Sequence, residues 1–219
     1  MGPSSILRWK TPRIEAINRN STLGEPMTVV PSRDAFVGLI EKERRSAPGG
    51  ATLVAPIGLR LMGDQLTPAL AYRRLVVDDT RTAPSFLLES VEGERKIGRY
   101  SLLGAQPEME VIARGSEMRI RDRRRGRAEQ DRTMTEADPL RAMAELTKSW
   151  RVVRPDGAAL AALPESLWGG WVGFAAYDSV RYAEPGKLPW EHAPNDDRGL
   201  PDLHFGLYLR VVVFDHVRT

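Results

Sequence analysis

The sequence predicts an α+β fold of antiparallel sheets with flanking helices. Three observations support this: only two segments have clear helical periodicity, many short runs alternate or cluster like strands, and the two kinds do not alternate regularly as a parallel sheet requires. The chain has 219 residues, 42% apolar and 28% charged, an ordinary globular balance at a size that affords a core. Residues 1–30 are expected to be a poorly ordered N-terminal segment and 31–219 a single domain.

In PSRDAFVGLIEKERR, Ser32 can cap a helix, Asp34 suits its positive end, and Phe36, Leu39 and Ile40 form an apolar stripe that runs out before Gly49-Gly50. ATLVAPIGLRL, 51–61, reads as one strand with Pro56 at an edge or bulge. LTPALAYRRLV places Pro68 where a helical turn starts. Phe86-Leu87-Leu88 is a short strand, Met109 to Ala113 another, and Glu117 to Asp122 alternates as a half-buried strand does. In DPLRAMAELTKSW, Asp138 caps, Pro139 takes the first helical position, and Leu140, Met143, Ala144, Thr147 and Trp150 are expected to share a face. Arg154 to Pro164 reads as a linker, and DLHFGLYLRVVVFDH as one long strand or two.

The excess positive charge, +3 overall, gathers in MRIRDRRRGRAEQDR, 118–132. Asp122, Glu129 and Asp131 interrupt the run, no aromatic stands in it to stack on bases, and Gly126 sits where a hairpin turns. A solvated hairpin tip is the reading, with no nucleic acid as partner. No apolar stretch approaches the roughly 18 residues of a membrane span, so no membrane is expected. There are no cysteines, which fits a cytoplasmic location. The basic start, with Arg8, Lys10 and Arg13 and no acid before Glu15, leaves a plastid transit peptide as the alternative.

Self-contained catalytic patterns are absent. His192, His204 and His216 lack zinc-site spacing, and Asp215-His216 should point to opposite faces of a strand. Gly169, Gly170 and Gly173 do not follow the dinucleotide order. They are read as close backbone packing, with Trp168, Trp171 and Phe174 filling a core around them. Asp178 and Arg181 are spaced to pair on one helical turn. The polar end of the strand at Glu89-Ser90 stands out, because a carboxylate and a hydroxyl at the end of an apolar run either merely close the strand or face a ligand.

Four segments in order, LTPALAY, FLLES…GRYSLLG, GGWVGFAAYDSVRYAE and DDRGLPDLHFGLYLRVVVFDH, resemble the N-terminal domain of the large subunit of anthranilate synthase, in the family of chorismate-using enzymes. The resemblance spans about positions 54 to 217. It implies a subunit that converts chorismate and ammonia, the latter from a glutamine amidotransferase partner, into anthranilate and pyruvate. It also implies that the catalytic residues and the Mg²⁺ site belong to a C-terminal domain with no counterpart before Thr219. The chain alone is therefore expected to be catalytically incompetent and to hold no cofactor. By motif match, Ser90 is expected to bind L-tryptophan, the feedback inhibitor, with Glu89, Arg99 and Tyr100 assisting. The large subunit of aminodeoxychorismate synthase, or a non-enzymatic truncated paralogue, is the alternative. At position 58 the family usually carries a bulkier residue, so Gly58 puts the packing of that strand in question.

Overall fold

The computed structural model describes residues 29–61, 63, 66–76, 84–89, 98–124 and 130–217. A five-stranded antiparallel sheet carries the main core, in the order β10–β11–β6–β7–β8. Its strands are β6 (Met109–Arg114), β7 (Glu117–Asp122), β8 (Gln130–Thr135), β10 (Gly170–Ala175) and β11 (Leu203–Tyr208). Three further strands, β4 (Ser85–Glu89), β5 (Tyr100–Ala105) and β12 (Val212–Asp215), form a second antiparallel sheet in the order β12–β5–β4. The antiparallel α+β expectation is met. Two short pairings complete the strands: β1 (Val29–Val30) with β3 (Gly58–Leu59), and the parallel pair β2 (Thr52–Val54) with β9 (Trp150–Val152).

Alternation along β6, β7 and β11 puts Met109, Val111, Met118, Ile120 and Leu207 on one face, where they form the buried cluster. Helix α3 (Pro139–Leu146), capped by Asp138, covers that cluster with Ala142, Met143 and Leu146. The expected face is therefore rotated. Leu140 and Ala144 stay exposed, and the helix stops at Leu146, so that Trp150 reaches the core from β9. Helix α1 (Arg33–Ser46) carries the expected Ser32 cap, with the hydroxyl accepting from the Ala35 N–H at 3.3 Å. Helix α2 (Pro68–Leu75) begins at Pro68 behind a Thr67 cap and packs on β5 and β4.

Two sequence expectations are corrected by backbone chemistry. Pro56 divides 51–61 into β2 and β3, which pair with different partners, because proline cannot donate to a ladder. The expected linker contains a short helix, α4 (Gly157–Ala161), between buried Val153 and Leu163. Leu163 also answers the question at Gly58, since a Cβ there would stand 2.6 Å from Leu163 Cδ2. The leucine fills the space that a larger residue 58 would need. DLHFGLYLRVVVFDH is two strands, β11 and β12, lying in different sheets.

The two sheets meet at Tyr208. Its ring lies edge-on to Phe86, 4.8 Å between centroids, and its hydroxyl donates to the Pro84 carbonyl at 3.1 Å. The close approach requires glycine at 104, where a Cβ would come within 2.5 Å of Phe86 Cε1. Burial, with the charge of Glu110 and Tyr72 adding, pushes the Tyr208 hydroxyl up to about 12.

Candidate functional site

Sequence reasoning singled out Glu89, Ser90, Arg99 and Tyr100. Ser90 lies outside the described residues, as does the segment 91–97. Glu89 closes β4 with an exposed side chain, in register opposite Ser101 of β5. Register partners share a face and neighbours alternate, so Glu89 and Ser101 belong to one face and Tyr100 to the other. Glu89 and Tyr100 are thus not brought together across this sheet. Arg99 and Tyr100 are adjacent in space, with the guanidinium carbon 4.8 Å from the ring centroid.

Arg99 is engaged from within the chain. β12 runs beside β5 with Asp215 opposite Tyr100 and Phe214 opposite Ser101. This register sets the Asp215 carboxylate against the Arg99 fork, with Nε donating to Oδ1 at 3.2 Å and Nη2 to Oδ2 at 3.1 Å. Glu165 stands 3.7 Å from Nη1. The hydrogen bond to Asp215, more than its charge, holds the guanidinium's pKa above its ordinary value.

Two further links join the same strand ends. The His216 N–H donates to the Arg99 carbonyl at 2.8 Å, and Ser101 Oγ lies 2.7 Å from His216 Nε2. Asp215 and His216 do point to different partners, as expected of strand neighbours. Asp215 Oδ1 also accepts from the Val217 N–H at 3.1 Å. The hydroxyl of Tyr100 and Oγ of Ser166 are buried without a hydrogen-bond partner among the described residues. Sequence reasoning missed Asp215 and Glu165 as neighbours of Arg99 and Ser101 as a neighbour of His216, because the fold brings residues far apart in sequence into contact, 116 positions for Arg99 and Asp215.

A second polar cluster lies in the larger sheet. Glu110 is 1% exposed, bonded by Arg123 and by His204 Nε2 at 3.1 Å. Burial alone would raise the Glu110 pKa, but the hydrogen bonds from His204 and Arg123 outweigh it and hold the carboxyl below its ordinary value. In the basic hairpin, Arg119 and Arg121 pair with Asp131, and Arg124 with Asp122. The hairpin tip, including Gly126, lies outside the described residues. Arg181 pairs with Asp178 at 2.8 Å, as the spacing implied. Gly173 is read correctly as a close-packing position and Trp171 joins the core, but Phe174 is 49% exposed and fills none. A cleft of about 130 Å³ between Met109, Ile120, Arg132 and Leu146 is smaller than the few hundred Å³ of a typical ligand site. Among the described residues no His, Asp or Glu group of three or more could hold a metal, and no helix is long and apolar enough to cross a membrane.

Fold and site define an antiparallel α+β architecture in which a network of polar contacts among Arg99, Ser101, Asp215 and His216 fastens the end of the smaller sheet. No family model matches the chain. Anthranilate synthase alpha subunit 1, chloroplastic, of Arabidopsis thaliana is 47% identical over 173 residues, covering 76% of this chain and 28% of that protein. The subunit of the same description from Oryza sativa subsp. indica is 43% identical over 187 residues, covering 83% of this chain and 31% of the rice protein. A crystal structure of anthranilate synthase component I from Streptococcus pneumoniae TIGR4 aligns at 25% identity with a TM-score of 0.37, over 73% of this chain and 29% of that one. The chain is a part-length homologue of anthranilate synthase alpha subunits, and it spans less than a third of the length of the plant relatives it matches.

Proposed function

We propose that this chain is the tryptophan-sensing portion of an anthranilate synthase alpha subunit, acting in the first step of tryptophan biosynthesis. The observation that carries the reading is identity of 43–47% to plant alpha subunits across about four-fifths of the chain. The FLLES…GRYS stretch within it supplies an acid, a hydroxyl and a guanidinium. In this reading Ser90 binds the amino-acid moiety of L-tryptophan, Glu89 faces its ammonium or braces the loop, and Arg99 with Tyr100 meets its carboxylate side. Occupancy shifts the relation of this portion to the catalytic one, and by linkage chorismate weakens tryptophan binding as much as tryptophan weakens chorismate binding.

Chorismate, Mg²⁺ and the glutamine amidotransferase subunit are assigned to the whole subunit. Among the described residues no cluster of acidic or histidine side chains suits Mg²⁺. The chain alone is therefore expected to form no anthranilate from chorismate, Mg²⁺ and ammonia; fluorescence of product above background contradicts that. In a chimera carrying the rest of the Arabidopsis subunit, Ser90→Ala should weaken tryptophan inhibition with turnover nearly intact. An unchanged inhibition curve rejects the assignment. The identity to relatives described as chloroplastic supports the plastid alternative over the cytoplasm. Import of a fluorescent fusion of residues 1–30 into plastids tests that location.

A further inference from the structure

We propose that Asp215 is an internal competitor for Arg99, displaced by the carboxylate of the bound amino acid, so that ligand binding loosens the end of β12. The inference rests on the tryptophan-sensing reading and adds to it the residue that sets affinity and the element that moves.

A guanidinium offers five donors in a planar fork, and a carboxylate matches one edge of it with two parallel bonds. Asp215 occupies the Nε–Nη2 edge, while the remaining edge shares Nη2 with Asp215 and has Glu165 beside Nη1. A ligand carboxylate arriving at either edge therefore meets a carboxylate already in place. Two such charges a few ångströms apart repel, and one must yield. The guanidinium carbon lies over the Tyr100 ring, 4.8 Å from its centroid, and the ring limits its escape in that direction.

Asp215 is the residue placed to move. The Arg99 and Asp215 side chains retain 34% and 18% of their accessible surface, so exchange of partners needs no opening of the core. Among the described residues, β12 is an edge strand paired with β5 alone. Its end is tied at three points to residues 99–101: the Arg99–Asp215 fork, the His216 N–H to the Arg99 carbonyl, and the Ser101–His216 contact. Asp215 also anchors the Val217 N–H. Releasing the carboxylate removes the fork and the Val217 anchor together, leaving two contacts at His216. The polar groups that neighbour the candidate ligand stretch are thus the ones that fasten the last described strand.

Titration calorimetry with L-tryptophan and with L-tryptophanamide, which keeps the indole and ammonium but lacks the carboxylate, separates competition from mere support. Asp215→Asn should tighten tryptophan about twofold to fivefold, the scale expected of a partly exposed ion pair, and leave the amide's affinity unchanged. Asp215→Glu should restore wild-type behaviour. In the unmodified chain, tryptophan but not the amide should speed hydrogen exchange at the His216 and Val217 N–H groups, a readout independent of whether the variants fold. Tryptophan binding that Asp215→Asn fails to tighten, an equal change for both ligands, or exchange unaltered by tryptophan overturns the inference and leaves the sensing reading intact. Absence of tryptophan binding to both the unmodified chain and Asp215→Asn overturns the sensing reading, and the inference with it.

Discussion

Replacing Glu110 with glutamine keeps the side-chain shape and removes one negative charge from the interior of the five-stranded sheet. Glu110 is 1% exposed, and its two oxygens are held by Arg123 and His204, whose side chains are 11% and 24% exposed. Removing one partner of a fully buried ion pair costs about 3–5 kcal/mol, because a charge is left without compensation. Arg123 and His204 both reach water, which lowers the expected loss to about 2–3 kcal/mol. With a urea m-value of about 2–3 kcal/mol/M, the unfolding midpoint should fall by about 1 M. The acid limb carries a second signature. The folded-state pKa lies below the ordinary 4.5, so the carboxylate's stabilisation is fully present above that pH. It is lost as pH falls from about 4.5 through the lower folded value, and Glu110→Gln should flatten that loss. Tryptophan fluorescence during urea titration at neutral and acidic pH reads both effects. A variant within about 0.5 kcal/mol of the parent at neutral pH, the range of an ordinary surface change, with the same acid slope, refutes the reasoning.

Gly173→Ala should displace the edge strand β10, since a Cβ there would run into the His204 carbonyl oxygen and stand 2.6 Å from Phe205 Cα, both backbone atoms that cannot turn aside. Amide exchange over 170–175 should speed up and the melting temperature drop; protection equal to the parent's contradicts the close packing. Met118→Ala, at a position with 0% exposure in the main core, should cost about 2–5 kcal/mol in denaturant unfolding. A loss under 1 kcal/mol would mean that α3 collapses onto the vacancy.

Much of the architecture was legible where local chemistry decides it. Ser32, Pro68 and Asp138-Pro139 mark three helix starts because caps and N-terminal prolines act over one turn. The alternation in 117–122 reported a strand with one buried face. What failed depended on partners distant in sequence. The face of α3 is rotated because the helix ends at Leu146, where the chain turns to pair β9 with β2, and periodicity extrapolated to Trp150 could not anticipate that turn. Pro56 was noticed, but whether it bulges one strand or divides two depends on which strands lie alongside. β5 is not among the strands read from the sequence, although it is the centre of the smaller sheet.

The candidate site shows the same limit. Glu89, Arg99 and Tyr100 stood out by type and motif, yet nothing local says that Arg99 meets Asp215 or that Glu89 and Tyr100 face opposite sides. Arg99 read from sequence is a free cation awaiting an anion. In the fold it already holds one, which turns the question from whether it can bind a carboxylate to what it must release.

The most direct test of tryptophan sensing is calorimetric titration of the purified chain with L-tryptophan, with D-tryptophan and the Ser90→Ala variant as controls. The account predicts saturable binding near one site per chain, selective for the L enantiomer and weakened in Ser90→Ala. No heat of binding to the L enantiomer, or binding indifferent to both the enantiomer and residue 90, would contradict it.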